Sequence, residues 1–326
     1  MTPSTVTLET IALEEYVRDV LPLTHALWGA KLPFERYVEG TRATANSAYI
    51  RRRPFTVGLR EGGAIVCSCK NYERELGWNG RTLRATGIGA VYTPEAARGR
   101  GYASAMLGAL LDAERDAGRD LAFLYSDIHP AFYERLGFVT LPSRSFAVRA
   151  EFLDGSAVGA VPLTAGDRAG VRRCFEAHEA SRTWSFRRTP LVWEWMQRRW
   201  DAPANDGSQP VSLVVRRGQA VVAYAFGRRV LRADTFVVDE CAFDGDAGRA
   251  VLPALLRAGA GDFRRVGGWL PPDPVRSLLP RGSVRRRKDA VLMLVPLSKL
   301  AKQWWAATKD ETNAGRSDAT WSNDHI

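Results

Sequence analysis

The stretch VYTPEAARGRGYASAMLGALL, residues 91–111, joins a strand end, a loop rich in glycine and arginine, and a helix start. The first N–H groups of such a helix point out of the loop, and with the positive end of the helix dipole they favour an anion. Gly99 and Gly101 let the backbone approach a ligand without a Cβ in the way. Arg98 and Arg100 supply charge that pairs with phosphate oxygens. The loop therefore predicts a phosphate or pyrophosphate site.

The spacing of this loop excludes two familiar phosphate-binding motifs. It lacks the Lys-Ser or Lys-Thr pair of a P-loop. It also lacks the third glycine of the dinucleotide fingerprint, and it follows a late strand of its half instead of the first. Taken by itself, the loop leaves one alternative, a glycine-rich turn with solvated arginines.

Apolar patterning predicts the same order of elements in both halves of the chain. In each half, a hairpin and a further strand precede a helix whose apolar residues fall on one face. This pattern predicts an α+β fold (α/β with mixed sheets) made of two related domains. The matching apolar positions of the two helices are Met106, Leu107, Leu110 and Leu111, then Val251, Leu252, Leu255 and Leu256.

Shifts in composition set the expected domain boundaries. Residues 1–150 form a first domain and residues 158–300 a second, with a linker rich in glycine and alanine between them. After Leu300 the sequence becomes polar and loses its periodicity. We therefore expect residues 301–326 to form a mobile C-terminal tail.

Charge and composition exclude several classes of partner. The formal net charge of +10 attracts anions in general and names no partner. Four scattered cysteines make neither a disulfide framework nor a zinc site, so we expect no metal. No basic start precedes an apolar block, and no stretch approaches ~20 consecutive apolar residues, so we expect a cytoplasmic protein without a membrane partner. Residues 281–288, RGSVRRRK, lack interleaved aromatic residues, so we expect no nucleic-acid partner.

Two motifs in the first half resemble those of a known family. Arg98 to Ala103 follow the R-x-x-G-x-A form of the acetyl-CoA signature of the GNAT superfamily of N-acetyltransferases. AFYERLGF, residues 131–138, resembles the later Y-x-x-x-G-F helix of the same family. The motifs stand in the family's order, separated by the expected helix and strand. The resemblance implies that residues 1–150 are a GNAT domain that binds acetyl-CoA and catalyses its reaction.

The resemblance also implies how the co-substrate, acetyl-CoA, is held. In this family the strand before the loop pairs through its backbone with the pantetheine arm, and the loop holds the pyrophosphate. The next strand splays away from its neighbour and lets the thioester enter. Carried onto this sequence, the cofactor-binding residues are Val91, Tyr92, Thr93, Arg98, Gly99, Arg100, Gly101, Tyr102, Ala103, Ser104 and Ser126.

The same motifs supply candidates for proton transfer. Tyr133 matches the family tyrosine that protonates the coenzyme A sulfur, and a phenol can donate that proton at neutral pH. Many relatives keep a glutamate on the strand before the loop, but TLRATGIGAV contains no carboxylate. Asp127 and His129, shortly before Tyr133, are therefore the candidate bases, with Glu73 and Glu75 of the hairpin as further candidates.

The second half differs from the first at the corresponding loop. DECAFDGDAGRA carries Asp244 and Asp246 where the first half has arginines, and like charges there repel a diphosphate. We therefore expect a degenerate GNAT-like domain that shapes the amine pocket. The tandem arrangement resembles the Eis-type acetyltransferases, which modify aminoglycosides and protein lysines. The residues after Leu300 are too few for the sterol-carrier-like domain of those enzymes, but they can bring the carboxylate of Ile326 to the site.

Together these inferences predict an acetyl-CoA-dependent N-acetyltransferase. Its acceptor is the primary amine of a small molecule (an aminoglycoside, polyamine or amino acid) or a lysine side chain. The missing strand glutamate leaves an alternative, a non-catalytic sensor or regulatory module that binds acetyl-CoA. A homo-oligomer is compatible with this architecture.

Overall fold

The computed structural model describes residues 7–29, 32–200, 208–315 and 318–326, without the side chains of residues 199 and 200. Its elements form two mixed sheets with helices packed against them, which confirms the predicted α+β fold class. Among these residues every helix is too short or too polar to cross a membrane.

The strands are numbered here in chain order. They are β1 (Glu9–Thr10), β2 (Thr56–Glu61), β3 (Ala64–Trp78), β4 (Arg81–Tyr92), β5 (Leu121–Ser126), β6 (Val139–Thr140), β7 (Arg144–Arg149), β8 (Val161–Pro162), β9 (Trp184–Arg187), β10 (Gln209–Arg217), β11 (Ala220–Val230), β12 (Thr235–Phe243), β13 (Arg265–Trp269), β14 (Ser283–Arg286) and β15 (Val291–Pro296).

The α-helices are numbered in the same way. They are α1 (Leu13–Asp19), α2 (Leu21–Trp28), α3 (Phe34–Ala45), α4 (Tyr102–Asp116), α5 (Ala131–Glu134), α6 (Arg168–Ala180), α7 (Pro190–Trp200), α8 (Gly245–Ala260) and α9 (Lys299–Ala314).

Each sheet contains one parallel strand pair joined by a crossover helix. The first sheet has the order β1-β2-β3-β4-β5-β15-β6, with β9 paired to β3, and its parallel pair is β4 and β5. The second has the order β14-β7-β13-β12-β11-β10-β8, with β12 and β13 parallel. Parallel neighbours need a long crossover, and α4 and α8 provide it. The two helices therefore hold corresponding places in the two sheets.

The two halves of the chain exchange strands. β7 lies within the expected first domain but pairs with β13 and β14 of the second sheet. β15 lies within the expected second domain but pairs with β5 and β6 of the first sheet. β9, also within the expected second domain, pairs with β3 of the first sheet. The boundaries at residues 1–150 and 158–300 stay a prediction, and each segment contributes at least one strand to the sheet of the other.

The predicted apolar faces of both crossover helices are buried. Leu107 and Leu110 of α4 are 0% and 1% exposed, and they pack in the core of the first sheet. Leu252 and Leu255 of α8 are fully buried in the core of the second. The period of these residues thus fixes which side of each helix faces its sheet.

Residues 301–326 differ from the mobile tail expected from their polarity. All of residues 301–314 belong to α9, whose Trp304 is fully buried against the ring of Trp184. Beyond α9, Trp321 packs against the ring of His178, and Asp324 is buried between two arginines. A few aromatic and acidic residues dock the tail although its average composition is polar.

Candidate functional site

A cavity of about 1070 Å³ opens at the end of the first sheet. Its lining residues come from α1, α2 and α3, from β3, β4 and β5, from the start of α4, from α5 and from the end of the tail. The predicted phosphate loop and Tyr133 therefore line one continuous space. A cavity of this size is in the range that holds cofactors and drug-sized ligands.

The loop before α4 has the geometry of an anion site. Gly99 and Gly101 have positive φ of 76° and 82°, and Gly101 is the N-cap of the fifteen-residue α4. A Cβ at either glycine would meet open space, so the left-handed backbone and not crowding favours glycine there. No side chain caps the first turn of α4, and the turn lines the cavity. Its N–H groups are thus available to an anion.

The arginines of this loop are held differently from each other. Arg98 donates from Nε to the carbonyl oxygen of Thr93 at 3.2 Å and lines the cavity. Arg100 donates to Glu61 at 2.8 Å, and the hydroxyl of Tyr102 donates to the same carboxylate at 2.5 Å. Arg98 is therefore the arginine of this loop that faces the cavity.

β4 changes its pairing where it borders the cavity. Its parallel pairing with β5 runs from Ala85 to Ile88, although the strand continues to Tyr92. Beyond this pairing, between Gly89 and Tyr92, the register with β3 shifts, and Ala90 has a φ of 47°. This β-bulge turns the end of β4 away from β5. The two strands diverge where the resemblance predicted entry of the thioester.

Tyr133 lies in the wall of the cavity. It is 7% exposed, and its ring packs edge-to-face against Phe132 and Phe138. Burial, above all, and the nearby Cys69 raise the pKa of Tyr133 to about 12. The phenol is therefore protonated at neutral pH and able to donate.

The candidate bases occupy unequal positions. Asp127 lines the cavity, and its Oδ1 accepts a hydrogen bond from the N–H of Ala290 at 2.9 Å. His129 is exposed, and its Nδ1 accepts from the N–H of Ala131 at 3.3 Å at the start of α5. Glu73 accepts from Arg119 at 2.9 Å and, like Glu75, is outside the residues found to line the cavity.

The end of the tail packs on β4, beside the cavity. Ile326 lies against Gly87 and Gly89 of β4. A Cβ at Gly89 would be 3.2 Å from the main-chain carbonyl carbon and oxygen of Ile326. A Cβ at Gly87 would be 2.4 Å from its Cδ1. The two glycines therefore make room for Ile326, which lines the cavity together with His325.

Most predicted site residues come together around this cavity. Among the predicted set, Arg100, Ser126 and His129 are outside its described lining, and the hydroxyl of Ser126 donates to the carbonyl of Ile128 at 2.9 Å. The predicted residues that do line it are Val91, Tyr92, Thr93, Arg98, Gly99, Gly101, Tyr102, Ala103, Ser104, Asp127 and Tyr133.

Several lining residues have no recognisable signal in the sequence pattern. Lys70 and Tyr72 point from β3 into the cavity, and Trp28 and Tyr37 reach it from α2 and α3. A lone lysine within a strand is common in any sheet. Only the glycines of TGIGAV, which allow a close approach, hinted that another segment packs on β4.

The start of α8 differs from the start of α4 in charge. Asp244 is its N-cap, and Asp246 lies in its first turn. Both residues are exposed. In the part of the chain that the structure describes, no group of three or more His, Cys, Asp or Glu side chains is arranged to hold a metal ion.

Comparisons with known proteins agree with this geometry. Residues 14–140 match the family model described as an acetyltransferase (GNAT) domain. No curated protein matches the chain significantly. A GCN5-related N-acetyltransferase from Kribbella flavida is 23% identical, with a TM-score of 0.66 over 89% of this chain and 70% of that one.

Two other solved structures share the fold at lower identity. Eis1 from Mycobacterium abscessus is 16% identical, with a TM-score of 0.62 over 90% of this chain and 74% of that one. A probable N-acyltransferase from Enterococcus faecalis is 13% identical, with a TM-score of 0.72 over 91% and 74%. The chain therefore has the fold of these proteins, and its residues 14–140 match the model of a GNAT acetyltransferase domain.

Proposed function

We propose that this protein is an acyl-CoA-dependent N-acyltransferase that moves an acetyl group from acetyl-CoA to a primary amine. One observation carries the proposal: the open N-terminus of α4, the diverging ends of β4 and β5, and Tyr133 all border one cavity. The acetyltransferase match of residues 14–140 supports the same reaction class.

The proposed binding mode uses the loop before α4 for the pyrophosphate. Its N–H groups and Arg98 supply donors and positive charge. The pantetheine arm would run along β4 from Val91 to Thr93, beside the bulge. The thioester would then lie where β4 and β5 diverge, and N–H groups of the bulged strand would polarise its carbonyl.

The proposed chemistry transfers the acyl group directly. The neutral amine attacks the carbonyl carbon, a C–N bond forms and the C–S bond breaks. The amine loses a proton to a base, and the departing thiolate takes a proton from the Tyr133 hydroxyl. No described protein group accepts a hydrogen bond from this hydroxyl, so it is available to the sulfur. The products are an amide and coenzyme A.

We assign the base to Asp127, the predicted candidate that lines the cavity. Its Oδ1 accepts a hydrogen bond from the N–H of Ala290 at 2.9 Å, which orients the carboxylate. Ile326 lies against Gly89, the first residue of β4 beyond its pairing with β5, and shapes the site there. Asp127→Asn tests the assignment: kcat should fall by about 100-fold or more, and retained turnover would move the role to another group.

The second half would hold the pocket in shape without binding a cofactor of its own. We propose that the chain is a tandem of two GNAT-like units, the second degenerate, which exchange β7 and β15. The acidic start of α8 and the partly buried hydrogen bonds of the tail with β12 support these separate roles of the two units.

A thiol-release assay with acetyl-CoA tests the proposal. The acceptor panel contains aminoglycosides, polyamines, amino acids and lysine peptides, and we expect free coenzyme A with at least one amine. Tyr133→Phe should lower kcat by about 100-fold or more because the thiolate loses its proton donor. Its affinity for acetyl-CoA, measured by calorimetry, should stay within about threefold.

The alternative is a non-catalytic sensor, for which we expect acetyl-CoA binding without turnover. Tight acetyl-CoA binding without thiol release for any amine would show that the protein is that sensor and not an enzyme. Full turnover of the Tyr133→Phe protein would show that the acid is another group.

A further inference from the structure

Lys70 is a buried basic residue in the half of the cavity that faces α1, α2 and α3. Lys70 is 7% exposed, and its Nζ donates to the Thr56 hydroxyl at 2.7 Å. The same atom lies 3.3 Å from the centroid of the Tyr16 ring and 4.9 Å from that of Phe55. Among the described residues no carboxylate lies within 4.0 Å of it.

Burying Lys70 in this way destabilises the folded state unless another group binds the ammonium. Burial of an unpaired charge strongly disfavours the folded state, and most buried cations are paired with a carboxylate. Arg188, also fully buried, illustrates the usual solution: it donates to both oxygens of Glu240, at 3.0 and 2.6 Å. Lys70 instead has a hydroxyl, two aromatic rings and the open cavity.

The position of Lys70 places it beside the proposed reaction centre. In the register of β3 and β4, Lys70 is opposite Gly89, the glycine against which Ile326 lies. A group held by Lys70 is therefore one strand away from the bulged end of β4, where the thioester is proposed to lie. The acceptor amine must reach the same region to attack the thioester.

The surroundings of Lys70 are aromatic and poor in acidic groups. Asp127 is the one acidic side chain in the described lining, and it comes from the far side, after β5. Arg36, at the cavity, is already paired with Glu39 at 2.8 Å. Polycationic acceptors would find few carboxylates here. The aromatic residues on this side are Tyr16, Trp28, Tyr37, Phe55, Tyr72 and Tyr92.

We infer that Lys70 binds a carboxylate of the acceptor, and that the acceptor is therefore an amine with a carboxylate and an apolar or aromatic body, as in a hydrophobic amino acid. This inference rests on the proposed acyltransferase function and selects among its substrate classes. The aromatic wall binds the body of the acceptor, Lys70 its carboxylate, and the amine faces the thioester. Burial lowers the pKa of Lys70 to about 7, so a bound carboxylate also stabilises the protonated amine.

Matched pairs of acceptors test the inference. The thiol-release assay with acetyl-CoA compares phenylalanine with phenethylamine and leucine with 3-methylbutylamine, which differ by the carboxylate alone. A charge-assisted hydrogen bond is worth about 1.5–3 kcal/mol, so kcat/KM should favour the amino acid by about 10- to 100-fold. Spermidine and kanamycin, as polycations, should be poor acceptors.

Variants of Lys70 then connect this selectivity to the side chain. Lys70→Met should reduce the selectivity ratio to within about threefold, and Lys70→Arg should retain most of it. Lys302→Met, which removes an exposed lysine of α9, should keep the full ratio. The melting temperature of the Lys70→Met protein should be unchanged or higher, whereas a merely structural lysine would lower it.

The outcomes separate the role of Lys70 in substrate selection from the proposed acyltransferase function. Equal or better turnover of the amines without a carboxylate, or an unchanged ratio in Lys70→Met, overturns the inference and leaves the acyltransferase intact. Absence of thiol release with every amine instead removes the proposed function. If Lys70→Met does not fold, the ratio in the unmodified protein and in Lys70→Arg still decides.

Discussion

The two crossover helices hold the same place in their sheets but start in opposite ways. α4 begins at Gly101, uncapped and open to a cavity, with Arg98 beside it. α8 begins at Asp244 and carries Asp246 in its first turn, so its positive end is already compensated. A helix terminus whose donors are left for a ligand can bind an anion, and one that carries its own acids cannot do so well.

Buried charges show the same contrast. Arg188, Glu240 and Asp324 form a closed network against the second sheet, and the Tyr224 hydroxyl donates to Glu240 at 2.6 Å. Lys70, against the first sheet, faces a cavity. Arg188 and Glu240 are paired within the protein, whereas Lys70 faces open space. This difference supports the cavity beside Lys70 as the proposed binding site.

The largest expected effect comes from opening the closed network. Arg188→Met leaves Glu240 and Asp324 buried next to each other with less compensation, and should lower the free energy of unfolding by about 3–5 kcal/mol. Urea unfolding followed by circular dichroism measures this change. A loss below about 1 kcal/mol would mean that the network contributes little to stability. Pairing with a carboxylate would then not distinguish Arg188 from Lys70.

The second prediction concerns a variant whose helix α4 starts with an acidic residue, as α8 does. Gly101→Asp puts an anion at the proposed pyrophosphate site and a side chain on a backbone with φ of 82°. Acetyl-CoA affinity should fall by about 30- to 100-fold, or roughly 2–3 kcal/mol. Asp246→Gly, the matched change in α8, should leave the affinity within about twofold. Equal effects of the two variants in calorimetry would contradict the assignment of the site to α4.

The third prediction concerns the close approach of Ile326 to β4. In Gly89→Ala the new Cβ would be 3.2 Å from the main-chain carbonyl of Ile326, so the tail end must shift by a few tenths of an ångström. We expect kcat to fall about tenfold, because small displacements of residues that shape a reaction site are costly, with little change in acetyl-CoA affinity. Gly108→Ala in α4, whose Cβ meets open space, is the control and should retain kcat. An unaltered kcat in Gly89→Ala would argue against a role for Ile326.

The smallest effect is a dependence of stability on pH. Burial lowers the pKa of Lys70 from 10.5 to about 7, so the folded chain binds fewer protons than the unfolded chain between these values. Lys70 therefore adds a rise in stability as pH increases through that window. Burial raises the pKa of its neighbours Tyr16 and Cys69 well above their usual values, so they stay protonated over most of it.

Lys70→Met should remove this rise and, near pH 6, stabilise the protein by about 1 kcal/mol. Thermal unfolding from pH 6 to 9 compares the two proteins. A destabilised variant with the same pH slope would show that the ammonium is satisfied within the protein after all.

Local patterns in the sequence were enough to predict the helices that position the site. The spacing of Leu107 and Leu110 gave the buried face of α4, and the glycines and arginines before it gave the loop that borders the cavity. These features depend on neighbours within one or two turns. Arg98 and Tyr133 were therefore accessible from the sequence.

Long-range packing explains what the sequence did not disclose. The exchange of β7 and β15 depends on pairings between residues more than a hundred positions apart, and no local period encodes it. The docking of Ile326 on Gly89 and the aromatic surroundings of Lys70 depend on distant segments as well. His129 and Arg100 matched the expected positions in sequence, but their side chains are directed to α5 and to Glu61.

One titration tests most directly the claim that only the first half binds acyl-CoA. Calorimetry with acetyl-CoA, followed by hydrogen exchange of the complex, gives the stoichiometry and the position of the ligand together. We predict one molecule per chain, with protection concentrated at residues 98–104 and none at residues 244–250. Two molecules per chain, or protection at the start of α8, would contradict the account.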